Sequence, residues 1–218
     1  MRVVFLGAPG VGKGTQADRI VAQYQVAKLS TGDLLREAVR NKTALGLEAK
    51  SYMDQGELVP DTVVIGLVRE KLADPSCVKG FVLDGFPRTV PQAEALGSVL
   101  ASKGLALDRV VNFEVSREDI VRRLSGRRSC PKCQATFHVD FAMPKVEGVC
   151  DRCGADLVQR SDDRRDAIET RLKVYDEQTA PLVRYYQERG LLFQLDGSGT
   201  AEAIFEHLSR ELTPYRAT

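Results

Sequence analysis

Histidine is nearly absent: the 218 residues hold only His138 and His207. Neither lies in a string that carries chemistry, so both read as structural or surface residues. The net charge of +1 supplies no bulk basic field of the kind that gathers nucleic acid. Long apolar runs are missing too. The stretch from Met1 to Leu6 ends at Gly7, far short of the ~18 residues that a membrane span needs. No secretory signal is recognisable, so the expectation is a cytoplasmic protein without a membrane partner. Repeats and low-complexity tracts are also lacking.

What remains is an ordinary soluble balance, 43% hydrophobic and 28% charged, in a chain long enough for one or two domains. Arginine outnumbers lysine about two to one. Compositional bias explains such a ratio, and so does planar recognition of phosphate. Only the positions of the arginines decide. Five cysteines are present. In a reducing compartment, closely spaced cysteines read as metal ligands rather than disulfides.

Apolar, β-branched runs alternate with helical patterns. Val3 to Leu6, Phe81 to Leu83, Val110 to Val115 and Leu191 to Leu195 read as buried strands, with a weaker one near Val26 to Leu29. This alternation predicts an α/β fold around a parallel five-stranded sheet flanked by helices. Two segments break the rhythm. One, 30–59, reads as two short helices, Asp33 to Asn41 and Leu45 to Gln55, before Pro60 and Asp61 open another. The other, 126–163, has poor helical periodicity and four cysteines. It lies between a helix capped by Ser116 and a long helix from about Asp163 to Arg189, which Pro181 should kink. Both interruptions read as excursions from one core domain made of 1–29, 60–125 and 164–218.

The run GAPGVGKGT, from Gly7 to Thr15, directly follows the first strand and opens a helix. That context suits a P-loop. Glycines let backbone N–H groups turn inward around an anion, the helix N-terminus adds partial positive charge, and Lys13 adds a full one. Gly10, Val11, Gly12, Lys13, Gly14 and Thr15 are therefore the candidate triphosphate cradle. The strict pattern has Ser or Thr directly after the lysine. Here Gly14 intervenes and Thr15 carries the hydroxyl. Asp84 ends the strand that begins at Phe81, at the sheet edge where ligands bind, and is a candidate to hold Mg2+ through water.

Four strings together give the chain a resemblance: Gly7 to Gln16, Leu29 to Arg36, Gly56 to Asp61, and DGFPRTVPQ from Asp84 to Gln92. They are similar to those of the adenylate kinase family, in the form whose lid carries a zinc site, and the likeness covers nearly the whole chain. The resemblance implies phosphoryl transfer from Mg-ATP to AMP giving two ADP, a P-loop NTPase-type core, and a monomeric state. It implies that 30–59 binds the monophosphate and 126–163 forms the lid. It places Thr31, Arg36, Arg88 and Gln92 around AMP, with Gln92 reading the adenine edge, together with Gly85, Phe86, Pro87 and the backbone of Glu57, Leu58 and Val59. It sets Arg123, Arg127, Arg160 and Arg171 on the transferring phosphates, and Thr136, Phe137 and Gly199 against the ATP adenosine. Physical reasoning agrees: moving a phosphoryl group between two anions needs fixed positive charge, and arginines stay charged while binding two oxygens at once. The acceptor is already ionised, so the scarcity of histidine is no obstacle. Asp162 and Asp163 read either as acids at a helix start or, by resemblance, as residues lining the site near the lid hinge.

Cys130, Cys133, Cys150 and Cys153 form two C-x2-C pairs with sixteen residues between them. Four thiolates at this spacing close a tetrahedral site that selects zinc, and no ligand position is left open, which favours a structural role. Redox-active pairs and an iron site are the alternatives. Cys77 lies apart and reads as an ordinary thiol. A zinc ribbon also suits nucleic acid, but the basic residues Arg127, Arg128, Lys132, Lys145 and Arg152 are offset by Asp140, Glu147, Asp151 and Asp156, with no interleaved aromatic stripe. A kinase for UMP or CMP stays a competing reading, opposed by Thr31 and Gln92.

Overall fold

A computed structural model describes residues 1–215; the last three residues assigned above to the core, 216–218, lie outside the described residues. The strands are β1 (Arg2–Leu6), β2 (Ala27–Ser30), β3 (Phe81–Asp84), β4 (Arg109–Glu114), β5 (Arg127–Ser129), β6 (Thr136–His138) and β7 (Leu192–Asp196). The helices are α1 (Lys13–Tyr24), α2 (Thr31–Arg40), α3 (Ala44–Gln55), α4 (Asp61–Lys71), α5 (Val90–Ala101), α6 (Arg117–Ser125), α7 (Arg165–Val174), α8 (Pro181–Gln187) and α9 (Ala201–Leu212). Five strands form one parallel sheet in the order β2-β3-β1-β4-β7. Strands covered by helices on both faces can be apolar throughout, and β1, β3 and β4 are buried along nearly their whole length.

Two apolar clusters fill the two faces. Val3, Phe5, Ile20, Val111, Phe113 and Leu208 lie in one; Val4, Leu6, Leu83, Leu96, Leu100 and Leu182 lie in the other. The alternation of Val3 and Val4, or Phe5 and Leu6, between clusters is the period-two signature of a strand with helices on each side. The register sets Phe5 opposite Asp84, so the turn after β1 and the carboxylate ending β3 emerge side by side.

Two local departures from the sequence expectations have clear causes. Helix α2 begins at Thr31, two residues earlier than expected, because the Ser30 side chain caps it by accepting from the Asp33 N–H. The long helix before Gly190 is broken rather than gently kinked. Residues Tyr175–Thr179 form a π-helical turn, in which the Ala180 N–H donates to the Tyr175 carbonyl at 2.8 Å. The turn sits directly ahead of Pro181, whose ring cannot accept a regular α-helical carbonyl four residues back. Likewise Asp163 does not open the helix: Ser161–Asp163 form a 3-10 turn, Arg164 is extended, and α7 starts at Arg165.

Strands β5 and β6 pair antiparallel and extend through isolated bridges at Ser129–Val158 and Val149–Asp156. This small segment buries only Cys130, Ala135 and Cys150 among its apolar cluster, while Phe141, Met143 and Val146 stay exposed.

Candidate active site

Helix α1 starts without a side-chain cap. Its N-cap is Gly12, in a left-handed conformation at φ 101°. The first-turn N–H groups therefore have no built-in acceptor and are available to an anion. The preceding turn is shaped by glycine for steric reasons. At Gly7 (φ 132°) a Cβ would come 2.7 Å from the Phe113 carbonyl oxygen, and at Gly10 (φ 89°) 2.8 Å from Leu124 Cγ. Lys13 Nζ donates to the carbonyls of Gly7 (2.6 Å) and Ala8 (2.8 Å), which holds the ammonium inside the loop. The cavity walls shield it from bulk water although its surface is partly open. Burial pulls its pKa down to about 8, and Arg88, Arg171 and Arg127 add to the effect against the opposing pull of Asp84. Asp84 is close to the helix start: its Oδ2 lies 3.4 Å from where a Gly14 Cβ would be.

Across the same cavity a second cationic cluster is held by backbone carbonyls and carboxylates. Arg88 Nε donates to the Gly85 carbonyl at 2.9 Å, and Thr31 Oγ1 donates to the same oxygen at 2.8 Å. Arg36 donates to Asp33 at 2.5 Å, while its Nε is buried without a partner. A buried donor of that kind costs free energy until an acceptor arrives. Burial, then the neighbouring Arg171, lowers Arg88 to about 10; burial, then Arg36 and Arg127, lowers Arg160 to about 9. Both stay charged at neutral pH.

The remaining arginines come from three elements. Arg123, on α6, donates to the carbonyls of Gly197 (2.9 Å) and Val11 (3.3 Å). Arg127 forms a two-pronged pair with Asp163 at 2.7 and 2.5 Å. Arg171, on α7, reaches Asp163 at 3.0 Å and Asp162 at 3.1 Å. Arg160 donates to Ser129 Oγ at 2.7 Å. Burial alone would lower Arg127, but Asp163 more than offsets this and raises it.

Lys13, Asp84, Arg36, Arg88, Arg123, Arg127, Arg160 and Arg171 line one continuous cavity of about 1630 Å³. Of the residues predicted from sequence to contact ligands, Gly10 to Thr15, Thr31, Arg36, Glu57 to Val59, Asp84, Gly85, Pro87, Arg88, Gln92, the four arginines just described, Thr136, Phe137 and Gly199 all border it. Phe86 does not. It is packed in the core beside Leu83 and Leu96. The two aspartates part company as well: Asp162 lines the cavity, whereas Asp163 is wholly buried behind Arg127 and Arg171.

A family model described as adenylate kinase matches residues 5–191. The chain belongs to the adenylate kinase family. It is 54% identical over 212 residues to an adenylate kinase of Carboxydothermus hydrogenoformans, covering 97% of this chain and 99% of the relative. It is 55% identical over 204 residues to one of a Geobacter species, covering 94% and 95%. An adenylate kinase of Methanothrix thermoacetophila is 50% identical over 216 residues, 99% of this chain and all of the relative.

The cysteine cluster suits the zinc-lid form of adenylate kinase. The four Sγ atoms lie within 4.8 Å of one another, with Cys130–Cys153 at 3.4 Å and Cys133–Cys150 at 3.5 Å. Sulfurs at the corners of a zinc tetrahedron, about 2.3 Å from the metal, would be about 3.8 Å apart. The set therefore fits the ion. His138 braces the segment around the cysteines: its Nδ1 accepts from the Asp140 N–H at 2.9 Å, its Nε2 faces the Arg122 carbonyl at 3.3 Å, and Phe141 stacks on the ring.

Three contributors escaped the sequence analysis. Thr179, in the π-helical turn, donates to the Arg88 carbonyl at 2.8 Å. Ser129 holds Arg160. Arg40 reaches from α2 to the Pro131 carbonyl at 3.0 Å. Each depends on contacts between distant segments and has no local motif. Among the described residues, no helix is long and apolar enough to cross a membrane.

Proposed function

We propose that the chain transfers the γ-phosphoryl group of Mg-ATP to AMP, reversibly, giving two ADP, with the donor phosphates on Gly10–Thr15 and the acceptor among Thr31, Arg36, Arg88 and Gln92. The observation that carries this is a single cavity with two cationic poles, the uncapped start of α1 with Lys13 and the cluster at Gly85 and Arg88. A nucleotide hydrolase needs one anion site, whereas transfer between two nucleotides needs two that face each other. Arg123, Arg127, Arg160 and Arg171 stand between them as the charge that neutralises the transferring group. An arginine in that position is worth on the order of 10³–10⁵ in rate.

Asp84 would hold the nucleotide's Mg2+ through water in this reading, and the ion would offset the charge of the phosphates. Glu57 to Val59 and Gly85 present backbone to AMP, while Thr136, Phe137 and Gly199 cover the ATP adenosine. The cysteine set holds Zn2+, which staples a lid that has little core of its own. The division into a core, a monophosphate-binding segment 30–59 and a lid 126–163 is part of the same proposal. Lid closure excludes water, so that AMP rather than water takes the phosphoryl group. The cytoplasmic setting and the monomeric state also belong to it, and sedimentation velocity checks the second.

The test is a coupled assay with purified protein and AMP, CMP, UMP and GMP as acceptors. ADP formation that requires both ATP and AMP supports the reading. Preference for UMP or CMP would move the chain to another nucleoside monophosphate kinase, and ATP loss independent of any monophosphate would overturn the two-site reading.

A further inference from the structure

Gln92 borders the acceptor end of the cavity and is 1% exposed. Both ends of its amide are already engaged on the protein side. Its Oε1 accepts from the Arg88 backbone N–H at 2.7 Å, and its Nε2 donates to Asp61 Oδ1 at 2.6 Å. The other Asp61 oxygen, Oδ2, accepts from Thr89 Oγ1 at 2.8 Å, and that hydroxyl in turn accepts from the Gln92 backbone N–H at 3.3 Å. Every donor in this ring has one partner and one direction. The carboxylate only accepts, and the backbone N–H only donates. Turning the amide over would face two acceptors at one contact and two donors at the other, leaving both buried and unsatisfied.

We propose that Asp61, which borders no part of the cavity, sets the purine specificity of the acceptor site by locking the Gln92 amide in one orientation. The proposal rests on the reading that Gln92 faces the acceptor base. A primary amide engaged in this way keeps one N–H and one oxygen lone pair for a ligand. Adenine offers an acceptor at N1 beside a donor at its 6-amino group. Hypoxanthine and guanine offer the reverse, an N1–H beside O6. With the base held in place by its sugar and phosphate, one amide orientation pairs with adenine twice and with hypoxanthine not at all. An amide free to turn would pair with either. Glutamine alone therefore does not discriminate, and the discrimination lies in the fixed carboxylate and the Arg88 N–H behind it. Asp61 is the first residue of α4 and Gln92 lies in the first turn of α5, so the lock is built from two helix starts rather than from mobile loops. Asp61 is a positioning residue, since it acts through Gln92.

The experiment measures kcat and KM for AMP and IMP in the wild type, Asp61→Asn, Asp61→Glu and Gln92→Leu. IMP differs from AMP at this edge alone. The amide introduced by Asp61→Asn offers both a donor and an acceptor, so at constant shape position 61 no longer opposes a turned Gln92 amide, and the Arg88 N–H alone favours one orientation. Asp61→Asn is expected to lower the AMP-to-IMP ratio of kcat/KM at least about tenfold, mostly through the two KM values, with KM for ATP unchanged. Asp61→Glu keeps both acceptor oxygens and is expected to hold the ratio within about threefold of the wild type. Gln92→Leu should collapse the ratio. An unchanged ratio in Asp61→Asn beside a collapse in Gln92→Leu overturns the lock and leaves the base contact standing. An unchanged ratio in Gln92→Leu overturns the base contact and the lock with it. A collapse in Asp61→Glu as deep as in Asp61→Asn shows that position 61 acts by packing, which also overturns the proposal.

Discussion

Lys13 is a charged group kept in a place that disfavours its charge. Its pKa, lowered to about 8 chiefly by burial, lies well below the ordinary value of 10.5. The unfolded chain thus holds more protons than the free folded protein between pH 8 and 10.5, so this residue's cost to stability is full below pH 8 and falls as pH rises through that window. A bound triphosphate reverses the situation by supplying negative charge. At about pH 9, ATP binding is therefore expected to take up about one proton, seen as a buffer-dependent enthalpy in calorimetry; the uptake should be lost in Lys13→Met and small at about pH 6.5. Arg88 obeys similar logic. Burial first, and then repulsion by Arg171, lowers its pKa to about 10, so Arg88→Ala removes a buried charge from the free protein. Turnover is expected to fall roughly 10³-fold or more, while the melting temperature holds or rises. Unchanged kinetics in that variant would remove Arg88 from the acceptor site.

Elements carry these residues into place through a few close contacts. Gly56 ends α3 in a left-handed conformation at φ 79°, and a Cβ there would lie 2.7 Å from the Ala167 carbonyl and 2.8 Å from Arg171 Cγ. The glycine lets α3 touch α7 beside Arg171, which is proposed to contact the transferring phosphates. Gly56→Ala is expected to destabilise the fold by roughly 1–3 kcal/mol and to lower turnover as Arg171 is displaced; a thermal melt with steady-state kinetics reads both. The lid segment shows the opposite economy, a short strand pair with a small apolar cluster and a four-cysteine set. Cys130→Ser is expected to abolish stoichiometric zinc in metal analysis and to lower the melting temperature by several degrees, while turnover in the cold changes far less. Zinc-free protein with an unaltered melt would refute the structural role.

At the scale of the whole molecule, the two insertions meet. Arg40 on α2 donates to the Pro131 carbonyl next to Cys130, and Ser161 Oγ donates to Asp54 Oδ1 on α3 at 2.6 Å. Segments 30–59 and 126–163, proposed above to bind AMP and to cover ATP, therefore touch across the cavity. Arg40→Ala removes one exposed contact of a kind worth about 0.5–1.5 kcal/mol. KM for AMP is expected to rise about two- to tenfold at most, with kcat unchanged or higher if reopening limits turnover. Loss of kcat with constant KM would show that the contact has no part in closure.

Much of this protein was legible in the residue order because its chemistry is local. Gly7 to Thr15 forms one turn and one helix start, Asp84 to Arg88 follows one strand, and each C-x2-C pair is a single knuckle. Short-range geometry determined these sites, and the alternation of strands and helices determined the sheet. Tertiary structure decided what depends on distant segments. It moved Phe86 into the core, because the left-handed turn at Gly85 breaks the strand's alternation and returns Phe86 to the face of Phe81 and Leu83. It separated Asp162 from Asp163, because a 3-10 turn points neighbouring side chains in different directions. It turned the expected kink at Pro181 into a π-helical turn that brings Thr179 to Arg88. It also placed Asp61 behind Gln92, thirty-one residues away in sequence. No local pattern encodes such a pairing, since it exists only when two helix starts pack side by side.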